Sequence, residues 1–179
     1  MERSFKQEVE KLKLGDGEIF HGEGILAVTK ALLQSGVSYV GGYQGAPVSH
    51  MMDVLNDARD ILTTSACTSK PTRRKQARRR CSAHRSTTPV RGAVTFKSTV
   101  GTNVASDALS NLASAGVKGG ALIVLGEDYG EGASIIQERS HAFAMKSQMW
   151  LLDPRPEPAE DRRDGRARLR AVRRRRTRR

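Results

Sequence analysis

Five consecutive apolar residues, Ala121–Leu125, stand between Gly119-Gly120 and Gly126. A short apolar run without polar alternation marks a strand covered on both faces, and such strands belong to parallel sheets. Parallel neighbours need long crossovers, so helical patterns should lie between the strands. The chain has that arrangement. Val37–Val40, ending in Gly41-Gly42, and Gly92–Phe96 read as strands, and Met149–Leu152 reads as a last one before Asp153-Pro154. From Gly24 to Ser35, Ile25, Val28, Leu32 and Leu33 share one helical face, stopped at Gly36. A second helix, Val48–Leu62, has Pro47 suited to its first turn and should bury Met51 or Met52, Leu55 and Leu62. Further helices are expected over Val104–Ala115 and Ala133–Lys146, and Phe5, Val9 and Leu12 give Met1–Leu14 an amphipathic helical spacing. The predicted class is α/β: a parallel sheet with helices on both faces. Ligands of such sheets sit at the carboxyl ends of the strands. Here those ends are Gly41–Pro47, Lys97–Asn103 and Gly126–Gly132.

The formal net charge of +12 points to a nucleic-acid partner until the charge is located. Residues 63–89 carry 8 Lys/Arg and no acid, and residues 157–179 carry 11 Arg and 4 acids. The other 129 residues hold 12 basic and 15 acidic groups, the balance of an ordinary globular protein. Neither basic block interleaves aromatics for base stacking or matches a nucleic-acid motif. Non-specific binding to phosphates through the Arg runs is the alternative functional class. No apolar run approaches a membrane span, and Met1–Leu14 is unlike a secretory signal, so a cytoplasmic chain is expected. Cys67 and Cys81 make no disulfide framework and no metal-spaced set.

Three long strings carry a resemblance: Gly22–Ala46 (GEGILAVTKALLQSGVSYVGGYQGA), Arg91–Leu112 (RGAVTFKSTVGTNVASDALSNL) and Gly119–Pro156 (GGALIVLGEDYGEGASIIQERSHAFAMKSQMWLLDPRP). Over Gly15–Leu62 and Val90–Pro156, about 115 of 179 residues, the chain resembles the indolepyruvate:ferredoxin oxidoreductase alpha-subunit family. That family belongs to the thiamine-diphosphate-dependent 2-oxoacid:ferredoxin oxidoreductases. The resemblance implies the N-terminal pyrimidine-binding domain of a longer subunit, here residues 1–156, followed by an Arg-rich tail at 157–179. It implies oxidative decarboxylation of an aryl 2-oxoacid to an acyl-CoA on thiamine diphosphate with Mg²⁺, electrons passing through iron-sulfur clusters to ferredoxin. The partners it implies are coenzyme A, ferredoxin, the 2-oxoacid and a beta subunit, and self-association is also possible for such a piece.

Carried over residue by residue, Tyr43, Gly45, Ala46 and Pro47 match the family's substrate- and cofactor-edge loop. Ser98, Gly101 and Asn103 match a loop beside the thiamine ring. The plainer readings are a strand-to-helix turn at Tyr43–Pro47 and an N-cap role for Asn103. The family's activating glutamate heads an Ala-rich helix between the positions matching Leu62 and Val90. This chain has no Glu from Ile61 to Gly126, and Asp107 is the one Asp there, so no catalytic residue is assigned. The magnesium signature, GDG followed by Asn, is missing: after Gly15-Asp16-Gly17 the next asparagine is Asn56. Two Cys cannot hold an iron-sulfur cluster. Glu127, Asp128 and Glu131 read as a solvated acidic loop rather than a metal cluster. His50 and His141 read as surface or subunit contacts, and no elbow motif supports a Ser-His-Asp reading.

The piece is therefore expected to be inactive by itself. Residues 63–89 and the tail lack apolar side chains enough to bury a face and are expected to be disordered. Both also read as out-of-frame translation. Shifting Cys81–Thr88 by one base allows Met-Leu-Gly-Ala-Ser-Ile-Asn-Tyr-Pro, the family's sequence before its Val-Arg-Gly-Ala strand. The same shift over Arg74–Arg80 allows Glu-Ala-Ser-Ala-Ala-Ala, and dropping a base at Glu157 allows Asn-Leu-Pro-Arg/Lys-Ile-Val.

Overall fold

The computed structural model describes residues 4–15, 18–43, 45, 47–62, 68–71, 90–127 and 139–153. Four strands run parallel: β1 (Val37–Gly42), β2 (Thr68–Pro71), β3 (Arg91–Lys97) and β4 (Ala121–Gly126), in the order β2-β1-β3-β4. β1 pairs with β3 from Val37 opposite Arg91 to Gly42 opposite Thr95, with an irregularity between Val37 and Tyr39. β3 pairs with β4 from Gly92 opposite Ala121 to Lys97 opposite Gly126. The class read from the sequence, α/β on a parallel sheet, is the one found. β2 takes four residues of the first basic block and pairs with Tyr39–Gly42. The remainder of 63–89 lies outside the described residues, as does the tail.

From β1 the chain moves outward to β2, then returns to the other side of β1 for β3 and on to β4. The direction of winding reverses between β1 and β3, so the helices fall on opposite faces. On one face lie α1 (Gly24–Gln34), α2 (His50–Asp57) and α3 (Arg59–Leu62). Their core joins Leu26, Leu32, Met51, Met52, Leu55 and Leu62 to Val40 and Ala93. On the other face α4 (Asn103–Ala115) lays Ala105, Ala108 and Leu109 against Val94 and Phe96. α5 (His141–Ser147) extends this layer, with Phe143 packed beside Ile123 and Leu125.

Several elements differ from the sequence reading. The N-terminal segment is a 3₁₀ helix over Glu8–Lys13, although Phe5, Val9 and Leu12 are buried as their spacing requires. Buried Lys30 donates to the carbonyls of Leu12 (2.8 Å) and Leu14 (2.5 Å), and the Phe5 amide donates to the Asp57 carboxylate at 2.7 Å. α1 buries Leu26, Ala27 and Thr29–Leu32, leaving Ile25, Val28 and Leu33 at the margin, so its core face is turned from the predicted one. It ends where expected, at Gly36 with φ of 70°. The predicted helix over Val48–Leu62 is two, α2 and α3, meeting at buried Ala58, and both Met51 and Met52 are inside. Of the predicted helix Ala133–Lys146, α5 accounts for the portion from His141, and 131–138 lie outside the described residues.

The predicted strand at Met149–Leu152 does not form. Gln148 takes a left-handed conformation (φ 56°) that closes α5, and the Met149 amide turns back to the Ala144 carbonyl at 3.1 Å. The apolar run leaves the helix end as irregular chain, with Trp150 52% and Leu151 37% exposed. Strand propensity there meets no strand partner. Ala121–Leu125, expected to be buried on both faces, is half-buried along its whole length, because β4 is an edge of the described sheet.

Candidate functional site

The crevice between the carboxyl ends of β1 and β3 is the switch point where an open α/β sheet is built to receive a ligand. The chain leaving β1 stays close to β3. The Tyr43 amide donates to the Thr95 carbonyl at 3.0 Å, and a Cβ at Gly45 would meet the Lys97 Cβ at 3.1 Å. The Gly45 carbonyl then accepts from the amides of Val48 and Ser49, both at 3.1 Å, which folds Pro47–Ser49 into the turn that starts α2. A Cβ at Gly126 would strike Val48 and Pro47, at 2.7 and 2.8 Å. The ends of β1, β3 and β4 therefore converge on one turn, Gly45–Val48. Glycine at Gly45 and Gly126 lets these backbones approach.

Of the residues carried over from the resemblance, Tyr43, Gly45 and Pro47 line this turn, with Pro47 exposed and Tyr43 and Gly45 half-buried. Ala46 lies outside the described residues. Ser98 is buried at 2% exposure, its hydroxyl 2.8 Å from the Ser140 hydroxyl. The Ser140 amide donates to the Glu127 carboxylate, and the Thr102 hydroxyl donates to the Ser98 carbonyl. Ser98 thus links β3 to the start of α5 and to the end of β4. Gly101 is buried in a π-helical turn, Ser98–Thr102, where the sequence suggested a plain polar loop. A Cβ there would overlap the Phe96 ring at 1.9 Å, so only glycine fits. Asn103 is exposed at the head of α4, already in helical conformation, and no side chain caps that helix.

Lys97 and Glu127 join the site from the strand-end loops that the sequence marked, whereas Ser140 joins it without any signal in the sequence. Two buried hydroxyls of β3 and the turn after it, Thr95 Oγ1 and Thr99 Oγ1, have no hydrogen-bond partner among the described residues. His50 is exposed, 3.3 Å from Asp53 and ring-to-ring with Phe5 at 5.8 Å. His141 is exposed and 3.2 Å from Asp153. Pairs this open to water contribute little to stability. Among the described residues no three His, Cys, Asp or Glu side chains gather as a metal site, and Asp128 and Glu131 lie outside them. Among the same residues no helix is long and apolar enough to cross a membrane.

Thiamine chemistry would need a carboxylate against the aminopyrimidine. Glu127 is the acid nearest these strand ends in sequence, and the Ser140 amide already holds it. The described residues at these strand ends do not fit the cofactor's activating site. No family model, curated protein or solved structure matches this chain.

Proposed function

We propose that this chain is the pyrimidine-side piece of a thiamine-diphosphate-dependent aryl 2-oxoacid:ferredoxin oxidoreductase, inactive by itself. The observation that carries the reading is the convergence of three strand ends on the Gly45–Val48 turn of a parallel sheet. All three ends lie in family-like strings, and two of them hold the residues carried over from the resemblance, within Tyr43–Pro47 and Ser98–Asn103. The proposal includes its failure: no Glu lies between Ile61 and Gly126, and the one Asp there, Asp107, is on α4 rather than at the position of the family's glutamate. No step through the cofactor is derived for this chain.

Two measurements test it. Purified chain supplied with thiamine diphosphate, Mg²⁺, coenzyme A, an aryl 2-oxoacid and a beta subunit should not reduce a viologen dye. Turnover above a protein-free control overturns the inactivity. The gene should encode, in a shifted frame, the Ala-rich helix with its leading glutamate across Arg74–Arg80 and the continuation after Pro156. Codons that cannot yield those peptides overturn the family reading.

A further inference from the structure

In a parallel ladder the N–H and C=O of one residue point to the same side, and successive residues alternate. The Gly92 amide donates to the Gly120 carbonyl at 3.1 Å, so Gly120, Leu122 and Val124 turn their backbone groups toward β3. Ala121, Ile123 and Leu125 turn theirs outward, and none of the described residues pairs with them. Beside this edge lies a groove of about 1330 Å³. Its walls are Leu109 and Leu112 of α4, Ile123 and Leu125 of β4, and Phe143 and Trp150. Met145, at 80% exposure, and Leu151 extend the apolar surface around it. Exposed edges are ordinarily blunted by charge, proline or brevity. The opposite edge, β2, is four residues long and includes Lys70 and Pro71. β4 has six residues, Ala-Leu-Ile-Val-Leu-Gly, with no charge and no proline.

We propose that the β4 edge is an interface between two copies of this chain, pairing antiparallel across a twofold axis near Ile123. The inference is independent of the cofactor reading. An axis perpendicular to the sheet continues it from one copy into the other and keeps equivalent faces together. Centred on Ile123, it sets Ala121 of each copy opposite Leu125 of the other, so the outward amides and carbonyls satisfy one another. It also brings the Lys118 end of one β4 to the Glu127 and Asp153 end of the other. That makes the arrangement complementary in charge as well as in hydrogen bonding.

Sedimentation velocity of the full chain across a wide concentration range tests this. The wild type should reach a discrete dimer, and Ile123→Pro should stay monomeric. Proline there removes one outward N–H and spares the ladder to β3. Unchanged circular dichroism checks that the variant folds. Independently, Ile123→Cys in a Cys67→Ser, Cys81→Ser background should be captured as a dimer by a short bis-maleimide, while Glu10→Cys in the same background should not. A wild-type chain monomeric at every concentration overturns the proposal. So does a dimer or larger aggregate in which the Ile123→Cys variant is no better cross-linked than the Glu10→Cys variant.

Discussion

β3 and β4 are neighbours with similar strand lengths, yet they live in different environments. β3, Arg-Gly-Ala-Val-Thr-Phe-Lys, includes a threonine and a charge at each end, and its middle five residues are buried. β4 is the more apolar strand and is half-exposed until Gly126. Hydrophobicity measures what a residue gains by leaving water, whereas burial depends on what neighbours arrive. β3 has a strand on both sides and helices on both faces. β4 has one strand, and its two faces meet only the margins of the helical layers, Leu122 and Val124 on one side and Ile123 and Leu125 on the other. The difference teaches that the apolar character of β4 is matched to a neighbour beyond the described residues, which the antiparallel second copy would supply.

Substitutions can break or sharpen that contrast. Phe96→Ala should have the largest effect, lowering the unfolding free energy by about 3–5 kcal/mol, because Phe96 is fully buried against α4 and Gly101. Denaturant unfolding checks it. A loss no greater than that at Ile123 would erase the distinction between the strands. Ile123→Ala, measured at a concentration low enough to keep copies apart, should cost only about 1–2 kcal/mol, since the side chain is already partly solvated. A larger loss would mean that something covers the edge within one molecule. Thr95→Val should be the smallest change and opposite in sign, a gain of about 1 kcal/mol, because the Thr95 hydroxyl is buried without a partner. Destabilisation at Thr95 would show that the hydroxyl is satisfied in solution.

Three of the four strands were legible because their signals are local. Val37–Val40, Gly92–Phe96 and Ala121–Leu125 are short β-prone runs that each begin at or beside a glycine, and each strand is found within a residue or two. β2 was not legible. Thr68–Pro71 has no strand-like side-chain pattern, and what places it is backbone pairing with Tyr39–Gly42, far earlier in the chain. Met149–Leu152 failed in the other direction: its residues favour a strand, but pairing is a property of two segments. In the candidate site the loops were located by the rule that ligands gather at strand ends. The partners were not, since Ser98 meets Ser140 across 42 residues and no spacing announces that contact. Gly101 could be singled out as a loop glycine, but the ring that forbids any other residue belongs to Phe96.

The N-terminal arm illustrates how the closure of a layer is written into hydrogen bonds. Its 3₁₀ turn has little stability of its own, and its fastenings are remote. Lys30 reaches it across 18 residues of sequence and Asp57 across 52. The Asp57 anchor closes a long loop, which costs more chain entropy than the nearer bond from Lys30. Phe5, Val9 and Leu12 add buried apolar contacts, so the arm is held by the core as well as by these bonds. Its release would uncover the buried ammonium of Lys30 and the apolar surface under Phe5, Val9 and Leu12, so residues 4–14 serve as the latch by which the first helical layer is closed.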